Sequence, residues 1–88
     1  MADVHLPTTL TPLFAGLPRR LDVDAGSVDE MFAQLDSRWP GLRDRLCEPG
    51  VADLRRHIHV YVDQRRARLD TPLEQRSRVD VIAAISGG

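Results

Sequence analysis

The chain ends in two glycines, Gly87 and Gly88, which directly follow a short apolar run. Glycine has no Cβ, so a neighbouring protein can close tightly around such a tail and reach the terminal carboxylate. Fully extended, residues 84–88 span roughly 17 Å at most, which is enough to carry the Gly88 carboxylate into a partner's site. The alternative is a frayed end or an engineered scar. We predict a folded domain over residues 1–83 and a flexible Gly-Gly tail over residues 84–88.

Cys47 and two histidines are the other residues whose types could do chemistry. Cys47 is the only cysteine, so it can form neither an internal disulfide nor a cysteine-rich zinc site, and we interpret it as a small buried apolar residue. His57 and His59 stand two apart on the predicted outward face of a strand. They lack a nearby third ligand, so we interpret them as surface histidines and predict no metal site.

Arginines are concentrated in the second half of the chain. Five of them, Arg55, Arg56, Arg65, Arg66 and Arg68, form basic clusters with acidic residues near them in the sequence. The simpler interpretation is a solvated face, and the alternative is a surface that docks against an acidic groove of a partner.

Bulk properties exclude several classes of protein. Eighty-eight residues make one small domain with a single core and no room for a deep cleft. A net charge of -1 argues against a nucleic-acid binder, and no apolar run is long enough to span a membrane. The first five residues do not resemble a secretion signal, so we expect a soluble, cytoplasmic protein. No phosphate-binding glycine loop or nucleophile motif is present, and we predict neither catalysis nor a bound cofactor.

Alternating apolar residues predict the strands. Val4 with Leu6 indicates a short first strand that ends at Pro7, and Leu21 with Val23 indicates a second. The later strands are predicted at residues 57–63, 67–70 and 79–83, with a turn at residues 63–66 and a single turn at residues 71–74.

One helix is predicted with well-defined ends. Ser27 and Glu30 form a capping box, in which Ser27 accepts from the Glu30 amide and Glu30 reaches back to Ser27. An apolar stripe follows at helical spacing, and Pro40 limits the helix to about Arg38 or Trp39. A second short helical segment is predicted over residues 41–47.

The predicted order is strand, strand, helix, strand, short strand, strand. Two locally joined strands, one long helix and later strands favour an α+β fold with a mixed sheet of about four to five strands. One main helix packs on one face of this sheet and leaves the other face partly open. This is the β-grasp (ubiquitin-like) arrangement.

The last predicted strand leads directly into the tail. If Val79 and Val81 point into the core, Asp80 and Ile82 point outward. Ile82 is then a candidate docking anchor, with Tyr61, His59 and the strand neighbours of Leu21 expected around it. The alternative is an ordinary exposed isoleucine.

The chain resembles the MoaD/ThiS family of β-grasp sulfur carrier proteins over nearly its whole length. The resemblance lies in residues 57–63, in residues 79–86 and in the terminal Gly87-Gly88. Residues 42–56 resemble carriers of the mycobacterial cysteine-synthesis type more than they resemble the shorter thiamine-type members. The chain departs from many members at Ala83-Ala84, where they have a proline, and at residues 74–78, where they have an acidic-glycine turn.

The resemblance implies a cycle at the C-terminus. A ubiquitin-activating-type adenylyltransferase uses ATP to adenylate the Gly88 carboxylate. Sulfide or a sulfurtransferase persulfide then converts it to a thiocarboxylate, and a biosynthetic enzyme accepts the sulfur. Gly87 provides clearance, and Ile82, Ala84, Ile85, Tyr61 and His59 are expected to contact partners. The alternatives are a molybdopterin synthase small subunit, a modifier conjugated to lysine through Gly88, and an interaction subunit whose terminus does no chemistry.

Overall fold

A five-stranded mixed sheet forms the frame of the molecule. The structure is a computed structural model, and it describes residues 1–50 and 53–83. The strands are β1 (Ala2–His5), β2 (Arg20–Val23), β3 (Ile58–Val62), β4 (Arg65–Ala67) and β5 (Arg78–Ala83). The helices are α1 (Val28–Arg38) and the short α2 (Leu42–Leu46), and a 3-10 turn lies at Thr11–Leu13.

The strands run in the order β2-β1-β5-β3-β4 across the sheet. β1 and β5 are parallel, and the other neighbouring pairs are antiparallel. The sheet is therefore mixed, and the last strand lies in the middle, between the first strand and β3. With α1 following the opening hairpin, this is the predicted β-grasp architecture, and the structure confirms it.

The core lies between one face of the sheet and the two helices. From α1, Val28, Met31, Phe32 and Leu35 are fully buried, as the apolar stripe predicts. Inward-pointing strand residues complete the core, among them Val4, Val60, Val79 and Val81. Both helices pack on this side, so no helix within residues 1–50 and 53–83 covers the opposite face of the sheet.

Of the two hydrogen bonds predicted for the capping box of α1, the structure contains one, and the other has a different partner. Ser27 Oγ accepts a hydrogen bond from the Glu30 amide at 3.1 Å, as predicted. The Glu30 carboxylate, however, accepts from the Gly26 amide at 3.0 Å rather than from Ser27. The helix ends at Arg38, with Trp39 as the capping residue before Pro40.

The β3–β4 hairpin is tighter than predicted. Residues 63–66 were expected to form a turn, with the return strand at residues 67–70, but β4 begins at Arg65. The turn consists of Asp63 and Gln64 alone, with φ values of 50° and 72°. Left-handed φ at both central residues is what a two-residue turn needs to match the twist of its strands, so the strand starts two residues early.

Two smaller differences from the predictions concern segments outside the main elements. His57 lies in a turn before β3 rather than in the strand. The predicted turn at residues 71–74 is instead an extended segment, in which Pro72 forms an isolated antiparallel bridge with Ser27. The connection after β1 contains the 3-10 turn at Thr11–Leu13, in which Pro12 takes an early position.

Candidate functional site: the open sheet face and the end of β5

The uncovered face of the sheet divides into two halves of different character. Strand registers place Asp3, His5, Arg20, Arg78 and Asp80 together, and we call this set the paired half. On the other side of the same face lie His59, Tyr61, Arg66 and Ile82, which we call the tail half because β5 ends there.

The tail half is centred on Ile82. Its side chain points away from the core and is 45% exposed, while Val79 and Val81 are buried. His59 on β3 lies directly opposite Ile82. Tyr61 lies opposite Asp80 and is therefore a diagonal neighbour of Ile82. The structure thus brings Ile82, His59 and Tyr61 together as the sequence predicted.

His59 contributes a polar atom that lacks a partner. Its Nδ1 is buried, and it makes no hydrogen bond with the described part of the chain. Burying such an atom without a partner costs free energy, whichever tautomer is present. This atom therefore lowers the stability of the fold locally in the tail half.

The paired half satisfies its charges internally. Arg20 binds the Asp3 carboxylate through Nε at 2.9 Å and a second nitrogen at 3.1 Å, and His5 Nε2 lies 3.1 Å from the same carboxylate. The Arg20 hydrogen bonds, followed by His5, hold the pKa of Asp3 below its usual value. On β5, Arg78 binds Asp80 at 3.1 Å.

The prediction of which residues surround Ile82 is wrong in one respect. The strand neighbours of Leu21 were expected beside it, but β2 is the far edge strand, and β1 lies between β2 and β5. Arg20 and Asp22 therefore belong with the first strand. Alternation identified the outward residues correctly, but it contains no information on which strands are adjacent.

The predicted reactive terminus lies just beyond the described residues. β5 ends at Ala83, and the predictions for Ala84, Ile85, Gly87 and Gly88 concern residues outside 1–50 and 53–83. What the structure provides is their point of attachment. The tail follows directly after the central strand of the sheet and begins three residues after the buried Val81.

An open groove of about 950 Å³ lies beside Ala83. Its wall is formed by the 3-10 turn, by α2 and by the segment before β3, and its lining includes Leu13, Arg45, Arg55 and Arg56. The connection that carries the 3-10 turn is tied to the end of α1, because Trp39 Nε1 donates to the Ala15 carbonyl at 3.2 Å. Sequence reasoning missed Arg45 here, since only the packing of α2 brings it near the other arginines.

Cys47 is buried at the end of α2, as predicted. Desolvation raises the pKa of its thiol, and the nearby Arg43 only partly opposes this effect. A thiol with a raised pKa has little of the thiolate form that acts as a nucleophile. The arrangement does not support chemistry at this cysteine.

Neither metal binding nor membrane spanning finds support in the described residues. Within residues 1–50 and 53–83, no three His, Cys, Asp or Glu side chains gather in a way that could hold a metal ion. Among the same residues, no helix has the length and apolar character needed to cross a bilayer.

Comparison with known families now identifies the class of protein. The family model described as "ThiS family" matches residues 13–88, which include strands β2 to β5, both helices and the Gly-Gly end. The chain belongs to the ThiS family. This family consists of small β-grasp carrier-protein domains, and the resemblance found in the sequence is thereby confirmed. No protein of curated function matches the chain.

Solved structures share the fold. CysO from a complex with BexX of Amycolatopsis orientalis is 24% identical, covers 100% of both chains and has a TM-score of 0.86. CysO of Mycobacterium tuberculosis is 21% identical over 97% of this chain and 100% of its own, also with a TM-score of 0.86. SAMP1 of Haloferax volcanii is 24% identical over 99% of this chain and 98% of its own, with a TM-score of 0.74.

Proposed function

We propose that this protein is a cytoplasmic sulfur carrier whose Gly88 carboxylate is converted to a thiocarboxylate. The observation that carries the proposal is membership of the ThiS family over a match that extends to Gly88. The fold is consistent with it: a rigid sheet whose central strand leads into five residues ending in Gly-Gly. Such a tail offers reach and little bulk.

The chemistry has two steps, both on a partner enzyme. The Gly88 carboxylate oxygen attacks the α-phosphorus of ATP, which releases pyrophosphate and leaves an acyl adenylate. Sulfide then attacks the acyl carbon and displaces AMP, so that one oxygen is replaced by sulfur. If the donor is a sulfurtransferase persulfide, the first product is an acyl disulfide, and a thiol must reduce it to the thiocarboxylate.

The carrier itself supplies recognition. We assign Ile82, His59 and Tyr61 to contact with the adenylyltransferase, because they form the part of the open face nearest to the tail. We assign Ala84 and Ile85 to contacts at the entrance of the adenylyltransferase site that receives the tail, and Gly87 to the narrowest part of that site. The sulfur acceptor is proposed to be an enzyme of cysteine synthesis, with molybdopterin synthesis as the alternative.

Intact mass spectrometry tests the proposal. The chain is produced in cells together with the adenylyltransferase of its own genome, and the expected result is a mass change that corresponds to exchange of one oxygen for sulfur. A variant lacking Gly87 and Gly88 should show no exchange while its thermal unfolding stays unchanged. A terminus that remains a plain carboxylate in the full chain would refute the carrier function.

A second function, conjugation to lysine, is favoured by one specific likeness. SAMP1 of Methanosarcina acetivorans, described as a small archaeal modifier protein, is 21% identical over 99% of this chain, with a TM-score of 0.81. The same acyl adenylate could acylate a lysine amine instead of sulfide. Gly-Gly remnants on lysines of other proteins, present with the full chain and absent with the Gly87–Gly88 deletion, would support this function.

A further inference from the structure

Arginines from separate stretches of the chain gather around the start of β3. The groove beside Ala83 and a smaller adjoining depression share Arg55, Arg56 and His59 as lining residues. Arg45 of α2 lines the first of these, and Arg66 and Arg68 line the second. We call these five arginines and the two depressions the arginine groove.

The charges of the arginine groove are not neutralised by the described part of the chain. Arg20, Arg43 and Arg78 each form an ion pair with an aspartate, whereas no arginine of the groove forms one with the described residues. Among residues 1–50 and 53–83, the lining of the larger depression contains no carboxylate, and Asp53 is the one in the lining of the smaller. Positive charge is therefore concentrated here in a chain whose net charge is -1.

Arg55 is held in place before any partner arrives. Its Nε donates to the Asp44 carbonyl at 2.8 Å, and its backbone amide donates to the Leu46 carbonyl at 2.9 Å. These bonds fix the side chain between α2 and the segment before β3. A charged group that is already ordered loses less side-chain entropy on binding.

The larger depression also has an apolar component. Leu10, Leu46 and Ile58 belong to the core and form its base, and Leu13 is 53% exposed on its wall. An apolar side chain can lie against this base while charged groups meet the arginines at the rim. The complementary ligand has one large apolar group flanked by negative charge.

We propose that the arginine groove binds a segment of a partner protein in which several carboxylates surround one large apolar side chain. Single-stranded nucleic acid fits less well, because the described lining offers no Phe, Tyr or Trp on which bases could stack. The overall negative charge of the chain also opposes a phosphate backbone. The proposal does not depend on the chemistry at Gly88.

The location of the groove gives the contact a role. Ala83 lines the groove, so a partner segment bound there lies beside the point where the tail leaves the sheet. Complementary charge speeds encounter and fixes orientation more than it adds affinity. A partner held here is aligned with the tail before the tail enters its site.

A peptide titration followed by NMR tests the proposal on the full chain. The probe is the synthetic peptide acetyl-Asp-Glu-Ala-Phe-Asp-Glu-amide, and its neutral counterpart carries Asn and Gln in place of the acids. Binding of the acidic peptide should shift the amide signals of residues 45–46 and 55–59. The neutral peptide should bind at least about five times more weakly, since it makes no charge–charge contacts with the arginines.

Paired variants provide the control. Arg45→Ala/Arg56→Ala should raise the Kd of the acidic peptide about fivefold, whereas Arg19→Ala/Arg76→Ala, which removes the same charge from exposed sites elsewhere, should change it less than twofold. Arg45→Lys/Arg56→Lys should retain most of the affinity, which separates loss of charge from loss of fold.

Four results would overturn the proposal. The first is that the acidic peptide shifts no amide signals at millimolar concentration, and the second is that both alanine pairs weaken binding of the peptide equally. A poly-dT oligonucleotide of equal charge binds more tightly than the peptide, which makes nucleic acid the ligand. Nuclear Overhauser effects join the Ile85 methyl groups to the groove in the absence of peptide, which makes the chain's own tail the occupant.

Discussion

The two halves of the open sheet face occupy neighbouring strands, yet they satisfy their polar groups in opposite ways. In the paired half, the Asp3 carboxylate accepts hydrogen bonds from Arg20 and His5, and Arg78 forms an ion pair with Asp80. In the tail half, an exposed Ile82 stands opposite a histidine whose Nδ1 has no partner among the described residues. The paired half thus pairs its charged groups internally, whereas the tail half contains a polar atom without a hydrogen-bond partner among the described residues.

This difference indicates which half is available to a partner. A partner that docked on the paired half would have to break or desolvate ion pairs, and that penalty offsets most of the gain. The tail half offers the exposed Ile82 side chain, which gains from being covered, and its described residues form no ion pair that a partner would have to disrupt. We therefore expect function to depend on the tail half and to be nearly independent of the paired half.

The largest expected effect comes from placing a charge at the centre of the tail half. Ile82→Asp should lower kcat/KM for adenylation by the partner enzyme at least about tenfold, through KM, because it buries a carboxylate in an apolar contact. The fold should tolerate it, since the side chain is already exposed. ATP-dependent pyrophosphate release measures the effect.

The matched control lies on the same strand and the same face. Arg78→Ala, in the paired half, should change kcat/KM by less than about twofold. If the two variants lose activity equally, the halves are not functionally distinct, and the comparison fails.

A smaller effect, on stability, is expected at His59. His59→Leu removes the unpartnered nitrogen and should raise the free energy of unfolding by about 1 kcal/mol while it weakens adenylation. His5→Leu should give no such gain, because His5 Nε2 already contacts Asp3. Urea unfolding of both variants decides this, and a destabilised His59→Leu would show that Nδ1 is satisfied in solution.

The smallest effect concerns acid stability of the paired half. The pKa of Asp3 is lowered in the folded state, chiefly by Arg20, so its contribution is fully present above the ordinary aspartate pKa of about 4. The contribution is lost as the pH falls from there through the lowered value. Asp3→Asn should therefore lower stability at pH 7 and much less at pH 3.

Unfolding measured across this pH range tests the prediction for Asp3. Asp70→Asn, at an exposed turn position, should show no comparable change with pH. Equal pH profiles for the two variants would mean that the ion pair with Arg20 does not form in solution.

Local patterns in the sequence were sufficient to predict the order of the main elements along the chain and the outward residues of the last strand. Alternation placed Ile82 on the open face, and the Ser27–Glu30 signal placed the start of α1 correctly. These properties depend on neighbours within a few residues along the chain. They can therefore be read without knowledge of the tertiary structure.

Long-range properties could not be predicted in the same way. The sequence Asp63-Gln64 is not a common signal for a turn with two left-handed residues, so the β3–β4 hairpin was placed two residues late. Strand adjacency separated the neighbours of Leu21 from Ile82, and helix packing brought Arg45 into the arginine groove. Each of these outcomes depends on contacts between distant segments.

The location of sulfur in the loaded protein tests the central claim most directly. After production with its activating enzyme, the protein is digested, and the C-terminal peptide and the Cys47 peptide are fragmented by tandem mass spectrometry. We predict one oxygen-to-sulfur exchange confined to Gly88, with Cys47 unmodified, because Cys47 is buried and the pKa of its thiol is raised. A persulfide on Cys47 together with an unchanged Gly88 carboxylate would contradict the account.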